Sequence, residues 1–433
     1  MRCPTLSELP APPPGKTGWP WTEESQQLPD RMPDGSPWPR VSIVTPSYQQ
    51  APFLEETIRS VLLQGYPDLE YLIIDGGSSD GSVEIIRRYE PWLTYWVSEP
   101  DEGQSEALNK GFQRATGAIV AWLNSDDWYL PGILPERVAE FVYDPTLALV
   151  YGDCHRVNEA GERINTWRTG PLTASSLLMD GPQIPQQSTF IRAAALSAVG
   201  GIDRRLHYVM DFTLWLRLSL VGALKYVPGP VANFRKHQGS KGVAAGYAFL
   251  VERLEWLSQW EELGRILNDS ERAEMFRRQH VIAALYAIFE GKEAAAVSHF
   301  CTALQDGIWP YGDADTLAQK VVRFGGMGGH TMQDSWERYE ALSRVLRQVR
   351  PGRMRRALQR RVAAQYHMLW AFRSRRSDGI REARAHLLKG IWYDPRWLGR
   401  RSVLYASVES LLGWQMADWL RRIARHGVSR DAG

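Results

Sequence analysis

Residues 41–75 read VSIVTPSYQQAPFLEETIRSVLLQGYPDLEYLIID, and their texture decides the fold. VSIV is a short apolar run, FLEETIRSVLLQ spaces its apolar residues as a helix does, and EYLIID is a second apolar run that ends in an acid. The order is strand, helix, strand. It continues with a helix at SVEIIRRYE, a strand at LTYWVS, a helix over GQSEALNKGFQRA and a strand at AIVAWL. Strands that are unbroken apolar runs and alternate with helices imply an α/β fold, with a doubly wound, mostly parallel, Rossmann-like sheet covered on both faces. Ligands bind beyond the C-terminal ends of such strands. TPSY, DGGSSDGS, SEPDEG and NSDD all fall there.

Residues 1–40 precede this region and hold PAPPPGKTGWPW and PDGSPWPR, a Pro-rich lead without strand or helix period, read as an extended arm or tail. After it come LALVYGD, QQSTFIR, helices at AAALSAVG and DFTLWLRLSLVG, and a strand at ALKYVPGPVANFR. From about residue 245 the strand signals stop and amphipathic helices take over, as in YAFLVERLEWLSQWEELGRIL. The expected division is therefore an arm over 1–40, an α/β domain over 41–245 and an all-α region over 246–433. In the last, GKEAAAVSHF (291–300) and GIREARAHL (379–387) share a Gly, Ala and His arrangement. Two loose copies fall short of the three a solenoid needs.

With 433 residues and 44% hydrophobic content the chain can bury a large core. Cys3, Cys154 and Cys301 lie far apart and form no CxxC or Cys/His cluster, which argues against a zinc site and for a reducing cytoplasm. The N-terminus lacks the order of a signal peptide, and no apolar run reaches the roughly 18 residues needed to span a bilayer. The 51 basic and 49 acidic residues are segregated: residues 341–377 hold eleven Arg and no acid. Over about 344–376 a helix such as MRRALQRRVAAQYHMLWAF would suit the surface of an anionic membrane, at its inner face, or equally a solvated face packed on the rest of the region. Nothing resembles a reader of bases, and no nucleic-acid partner is expected.

The paired acids Asp126 and Asp127 end an apolar strand, where like charges repel. Hard oxygen donors suit Mg2+ or Mn2+, although either acid could equally cap the helix after Pro131. Asp75 ends a strand before Gly76 and Gly77, where close backbone approach to a ligand and a tight turn are both open readings. There is no GxGxxG and no GxxxxGK[ST].

Taken together, VSIVTPSYQQAPFLEETIRSVLLQ, YLIIDGGSSDGS, SEPDEGQSEALNKGFQRATG, AIVAWLNSDD and MDFTLWLRL resemble, in order, the segments of inverting family 2 glycosyltransferases with the GT-A fold. The resemblance covers about residues 41–240. It implies transfer of a sugar from a nucleoside diphosphate donor to a glycan or lipid-linked acceptor, with a divalent cation, in surface polysaccharide synthesis. By the same resemblance Thr45, Pro46 and Tyr48 would meet the nucleotide, Asp75 would hydrogen-bond the base, and Asp101 would line the nucleotide pocket. Asp126 would face the ribose or donor sugar, Asp127 would ligate the metal, and Asp211 would be the catalytic base, although an acid there also caps its helix. Asn124 stands where the family's first motif acid is expected, and Met210 where a Glu often precedes the base.

His237 is a candidate further metal ligand, with Arg235, Lys236 and Lys241 beside it for phosphate oxygens; a basic surface loop is the alternative. Gln186 and Gln187 would line the acceptor side, and Trp128 would contact ligand, whereas Trp122 and Trp215 read as core. The remaining histidines show no paired spacing. A second class of function stays open, a non-catalytic nucleotide-sugar or glycan-binding scaffold on the same domain.

Overall fold

Seven consecutive buried residues, Val41–Ser47, form β1, an inner strand of a nine-stranded sheet. The computed structural model describes residues 1–181, 184–239, 246–324, 332–349, 352–374, 380–400 and 403. It divides into two units, Met1–Ala245 and Gly246–Gly433.

In the first unit β2 (Leu69–Asp75) and β4 (Ile119–Trp122) flank β1 in parallel, and β3 (Tyr95–Ser98) extends the sheet beyond β2. Helices α1 (Ala51–Leu62), α2 (Ser82–Tyr89) and α3 (Gln104–Arg114) are the crossovers. Strands β1, β2 and β4 are buried along their whole length because helices cover both faces. On one face Val41, Ile43, Tyr71 and Ile73 pack with Leu54, Ile58 and Val61 of α1. On the other, a Cβ at Gly111 of α3 would fall 2.3 Å from Val44 Cγ1, so only glycine lets α3 lie so close to β1.

Beyond β4 the sheet becomes mixed. Its order is β3-β2-β1-β4-β8-β6-β9-β5, where β5 is Trp128–Tyr129, β6 Leu147–Val157, β8 Thr189–Arg192 and β9 Ala223–Arg235; β7 (Arg163–Trp167) pairs with β6. The β4/β8, β6/β8, β6/β7 and β5/β9 pairs are antiparallel, while β6/β9 is parallel. The parallel half is therefore the half built from strand-helix-strand units. Helices α4 (Leu134–Tyr143), α5 (Ala174–Asp180), α6 (Ala193–Ala198) and α7 (Met210–Leu218) complete the unit.

The Pro-rich lead is extended but does not hang free. Cys3, Leu9, Trp21 and Met32 are buried. A chain so rich in proline forms few hydrogen bonds of its own, and its buried carbonyls need donors from elsewhere. Arg59 of α1, itself fully buried, supplies them to Pro10 O (2.8 Å), Pro20 O (3.0 Å) and Trp21 O (2.9 Å).

The described part of the second unit is helical: α8 (Gly246–Gln259), α9 (Leu263–Ile266), α10 (Asp269–Phe289), α11 (Glu293–Ala303), α12 (Ala314–Phe324), α13 (Met332–Gln348), α14 (Arg353–Ser374) and α15 (Ile380–Tyr393). Histidines do pair here, contrary to the reading of the sequence. His280 of α10 meets His299 of α11, and His367 of α14 meets His386 of α15, each with Nδ1 atoms 2.8 Å apart. Both members of the second pair lie 87 residues after those of the first, at 280 to 367 and 299 to 386. The two loose sequence copies are thus matching halves of two helical hairpins.

The basic stretch departs from a membrane-lying helix for a packing reason. Leu358, Val362, Tyr366 and Trp370 of α14 are built into the helical core, and Met368 and Ala371 pack into a smaller cluster with Leu387 of α15. The apolar side is thereby consumed. Arg353, Arg356, Arg360 and Arg373 are exposed. Among the described residues no helix is long and apolar enough to cross a membrane.

Candidate active site

The register of the parallel strands sets the rim. Ser47, Asp75 and Ser98 end side by side, and Trp122 at the end of β4 lies opposite Val44. The loops after β1, β2, β3 and β4 therefore leave the sheet at one edge.

Asp75 is fully buried and builds its own loop. Its Oδ2 accepts from Gly77 N (3.1 Å), Ser78 N (2.8 Å) and Ser98 Oγ (2.7 Å), and its Oδ1 from Ser78 Oγ (2.6 Å). This carboxylate is turned toward the turn behind it, where the expected role was a hydrogen bond to a base. Asp101, half-buried, lies over the glycine that follows: a Cβ at residue 76 would stand 2.9 Å from Asp101 Oδ2, while Oδ1 accepts from Gly103 N (2.8 Å). Thr45 also departs from expectation. Its side chain is fully buried, with Oγ1 3.1 Å from Tyr71 OH, so it is a core group. Pro46 is buried at the strand end, and Tyr48 is 62% exposed.

The acidic loop after β4 separates its two carboxylates by depth. Asp127 is fully buried, and its Oδ1 accepts from Arg235 N (2.9 Å) while its Oδ2 accepts from Gln187 Nε2 (2.9 Å). Burial, and then the neighbouring Asp126, push its carboxyl well above the usual range, and the two donors act against that shift. Asp126 is turned the other way: its Oδ2 is 3.0 Å from His237 Nε2, with side-chain exposures of 16% and 9%. Asp127, expected as the metal ligand, thus has both carboxylate oxygens bonded inside the protein. The outward acid is Asp126, and Asp127 is an internal strut.

Helix α1 and the turn that follows it hold this loop with polar side chains. Thr57 Oγ1 donates to Asp127 O (2.6 Å), Ser60 Oγ accepts from Tyr129 N (3.1 Å), and Gln64 donates to Leu130 O (2.9 Å) and accepts from Ile133 N (3.0 Å). Strand β5 pairs with β9 on one side. On the other side these side chains stand in for a strand. Asn124, where an acid was expected, is a hub: its Oδ1 accepts from Gln104 (2.8 Å) and its Nδ2 donates to Gln186 Oε1 (3.2 Å), which in turn donates to Trp122 O (2.8 Å). Gln186 and Gln187 are both buried and support the acidic loop, in place of the acceptor-side role expected of them.

Asp211 is the second residue of α7, whose N-cap is Val209, and its Oδ1 accepts from Phe212 N (2.7 Å). Its place at the rim follows from its neighbours. Ser105, next to Gln104 at the start of α3, donates from Oγ to Leu206 O (2.7 Å) and lies 3.3 Å from Met210 Sδ. The beginnings of α3 and α7 are thereby tied together beside the Asp101 loop. Met210, in place of a Glu, is a packing residue, 6% exposed.

Two further expectations change. Trp128 is buried, with the Arg235 guanidinium 4.4 Å above its ring, and does not present a face to ligand. Arg235 is 3% exposed and bonded within the protein, which removes it as a phosphate contact. Lys241 lies outside the described residues. Trp122 and Trp215 are core residues stacked at 5.5 Å. The residues missed were Glu56, Thr57, Ser60 and Gln64. Thr57, Ser60 and Gln64 are spaced three, four and seven apart, as on one helix face, with Gln64 just past the end of α1.

Among the described residues no group of three or more His, Cys, Asp or Glu side chains could hold a metal. Asp126 and His237 nonetheless offer one carboxylate and one imidazole at hydrogen-bond distance, a donor set that fits a divalent cation completing its shell with phosphate oxygens.

Residues 42–194 match the model of glycosyl transferase family 2. This segment belongs to that family, and the enzyme class is glycosyltransferase. The chain is 29% identical over 187 residues to an uncharacterized glycosyltransferase of Mycobacterium tuberculosis, spanning 42% of this chain and 70% of the relative. It is 29% identical over 192 residues to the chondroitin synthase of Pasteurella multocida, spanning 44% of this chain and only 20% of the synthase. Staphylococcus aureus TarS 1–349, solved in complex with UDP-GlcNAc, superposes with a TM-score of 0.44 at 14% identity, over 82% of this chain and 92% of that one.

Proposed function

We propose that the first unit transfers a sugar from a nucleoside diphosphate sugar to a glycan or lipid-linked acceptor, with inversion, in the synthesis of a surface polysaccharide. The observation that carries the reading is the Asp126–His237 pair at 3.0 Å on the rim where the loops of four strands emerge. Asp126 and His237 would hold Mn2+ or Mg2+, which when bound neutralises charge on the departing diphosphate. Pro46, Tyr48 and Asp101 surround the nucleotide, and the loops built by Thr45 and Asp75 shape its seat. Asp211 takes the proton of the acceptor hydroxyl as that oxygen attacks the anomeric carbon, and the nucleoside diphosphate leaves from the opposite face. Any contact with an anionic membrane face would be electrostatic, through the exposed arginines of α14, because that helix has no apolar side left to insert.

Turnover measured with Mn2+ over a panel of nucleotide sugars tests this reading. Asp126→Ala and His237→Ala are each expected to lower it by roughly 10²–10³-fold, as loss of a preorganised charge contact does. Unchanged turnover in both variants would reject the pair. Nucleotide and Mn2+ binding by the native chain with no turnover on any donor would favour a non-catalytic scaffold.

A further inference from the structure

Arg235 meets the acidic loop at both Asp126 and Asp127. Its Nε donates to Asp126 O (3.1 Å), its main-chain N–H to Asp127 Oδ1 (2.9 Å), Nη1 to Glu159 O (2.6 Å) and Nη2 to Glu56 Oε2 (2.6 Å). The guanidinium is clamped between the rings of Phe53 (4.7 Å) and Trp128 (4.4 Å), and Phe53 also packs on the His237 ring at 4.9 Å. One buried cation thereby fixes both members of the Asp126–His237 pair. It holds Asp126 by its carbonyl, and it holds His237 through the shared Phe53 and through the chain two residues on. Glu56 anchors the assembly to α1.

We propose that Arg235 is a positioning residue that sets the separation and orientation of Asp126 and His237 for a divalent cation, with Glu56 as its anchor. The inference rests on the cation reading above. Only a planar guanidinium can fill this position. Its five N–H groups in a fixed fork serve several acceptors at once, whereas an ammonium group on a flexible stem serves them one at a time and does not stack between rings in the same way. Arg235 itself lies behind the loop and need not touch donor or acceptor.

The test is Mn2+ titration of the full chain, followed by the electron paramagnetic resonance signal of free Mn2+ with and without UDP, for the native protein, Arg235→Lys and Glu56→Gln. Arg235→Lys is expected to weaken Mn2+ binding at least tenfold, and Glu56→Gln severalfold, since it loses one anchor of several. In turnover assays the Mn2+ concentration for half-maximal rate should rise in parallel, with saturating Mn2+ restoring most of the maximal rate; a merely structural defect would not be rescued in this way. Glu56→Gln keeps the test open if Arg235→Lys fails to fold. Folded variants with native Mn2+ affinity would overturn the positioning role while leaving the cation site intact. A native chain that binds no Mn2+ even with UDP would overturn the cation reading and this inference with it.

Discussion

Replacing Asp211 by Asn is expected to lower turnover by about 10²–10⁴-fold, the range a positioned general base contributes, while leaving donor binding and folding nearly unchanged. Asn keeps the shape and the acceptor oxygen, so the 2.7 Å bond from Phe212 N survives. What is lost is the negative charge. Its interaction with the start of α7 contributes on the order of 0.5 kcal/mol, too little to unfold the domain. A merely structural role of Asp211 in the first turn of α7 therefore predicts a different pattern, with a small loss of stability and no loss of rate. Steady-state kinetics with a thermal melt of each protein separates the two, and a native rate for Asp211→Asn would remove it as the base.

Acid is expected to destabilise the helical unit selectively. Each histidine pair needs one Nδ1 protonated and the other bare, so the bond is lost once both rings are charged, and burial opposes the charging of either. Burial, and then the partner imidazole, lower His280 and His367 from 6.5 to about 4, and burial also lowers His299 and His386. Among the described residues, the rings of Tyr339, Tyr366 and Tyr393 pack against His367. Tyr247 OH meets His299 Nε2 at 3.0 Å, Lys389 lowers both His367 and His386, and Glu382 acts weakly in the opposite sense on His386. The unfolded chain takes up these protons near pH 6.5, whereas folded His280 and His367 do so only near pH 4, and His299 and His386 also below their ordinary value. Stability is thus fully present above about 6.5 and falls as the pH drops toward 4. With screening at these partly exposed sites allowed for, the loss is on the order of 2 kcal/mol per pair. Circular dichroism melts between pH 7.5 and 4.5 should show a helical transition that moves down by roughly 10 °C. A transition that does not move over that range would show that the pairs carry no such linkage.

Much of the first unit could be read before any coordinates. Unbroken apolar runs ending in Asp75 and before Asn124, with amphipathic helices between them, define a parallel sheet because only a sheet buried on both faces has such strands. The residues at the strand ends were legible for the same reason. Their division of labour was not. Asp126 and Asp127 are adjacent and chemically identical, and only the contacts of Arg235 and Gln187 show which one faces inward. Asp75 and Thr45 carry the residue types of a binding loop but spend their polar atoms on the protein. Strand β5 was invisible because two residues carry no period, and because its second neighbour is a row of helix side chains. In the helical unit, His280 and His299 lie 19 apart, a distance that means nothing until the turn between α10 and α11 folds one helix back on the other.

Asp126 and Asp127 are distinguished by which of them faces the cation. Crystals of the full chain soaked with Mn2+ and UDP, with diffraction recorded at the manganese absorption edge, would locate the ion directly. The prediction is an anomalous peak between the Asp126 carboxylate and the His237 imidazole, with Asp127 still bonded to Arg235 and Gln187. A peak held by Asp127, or none at this rim while UDP is bound, would contradict it.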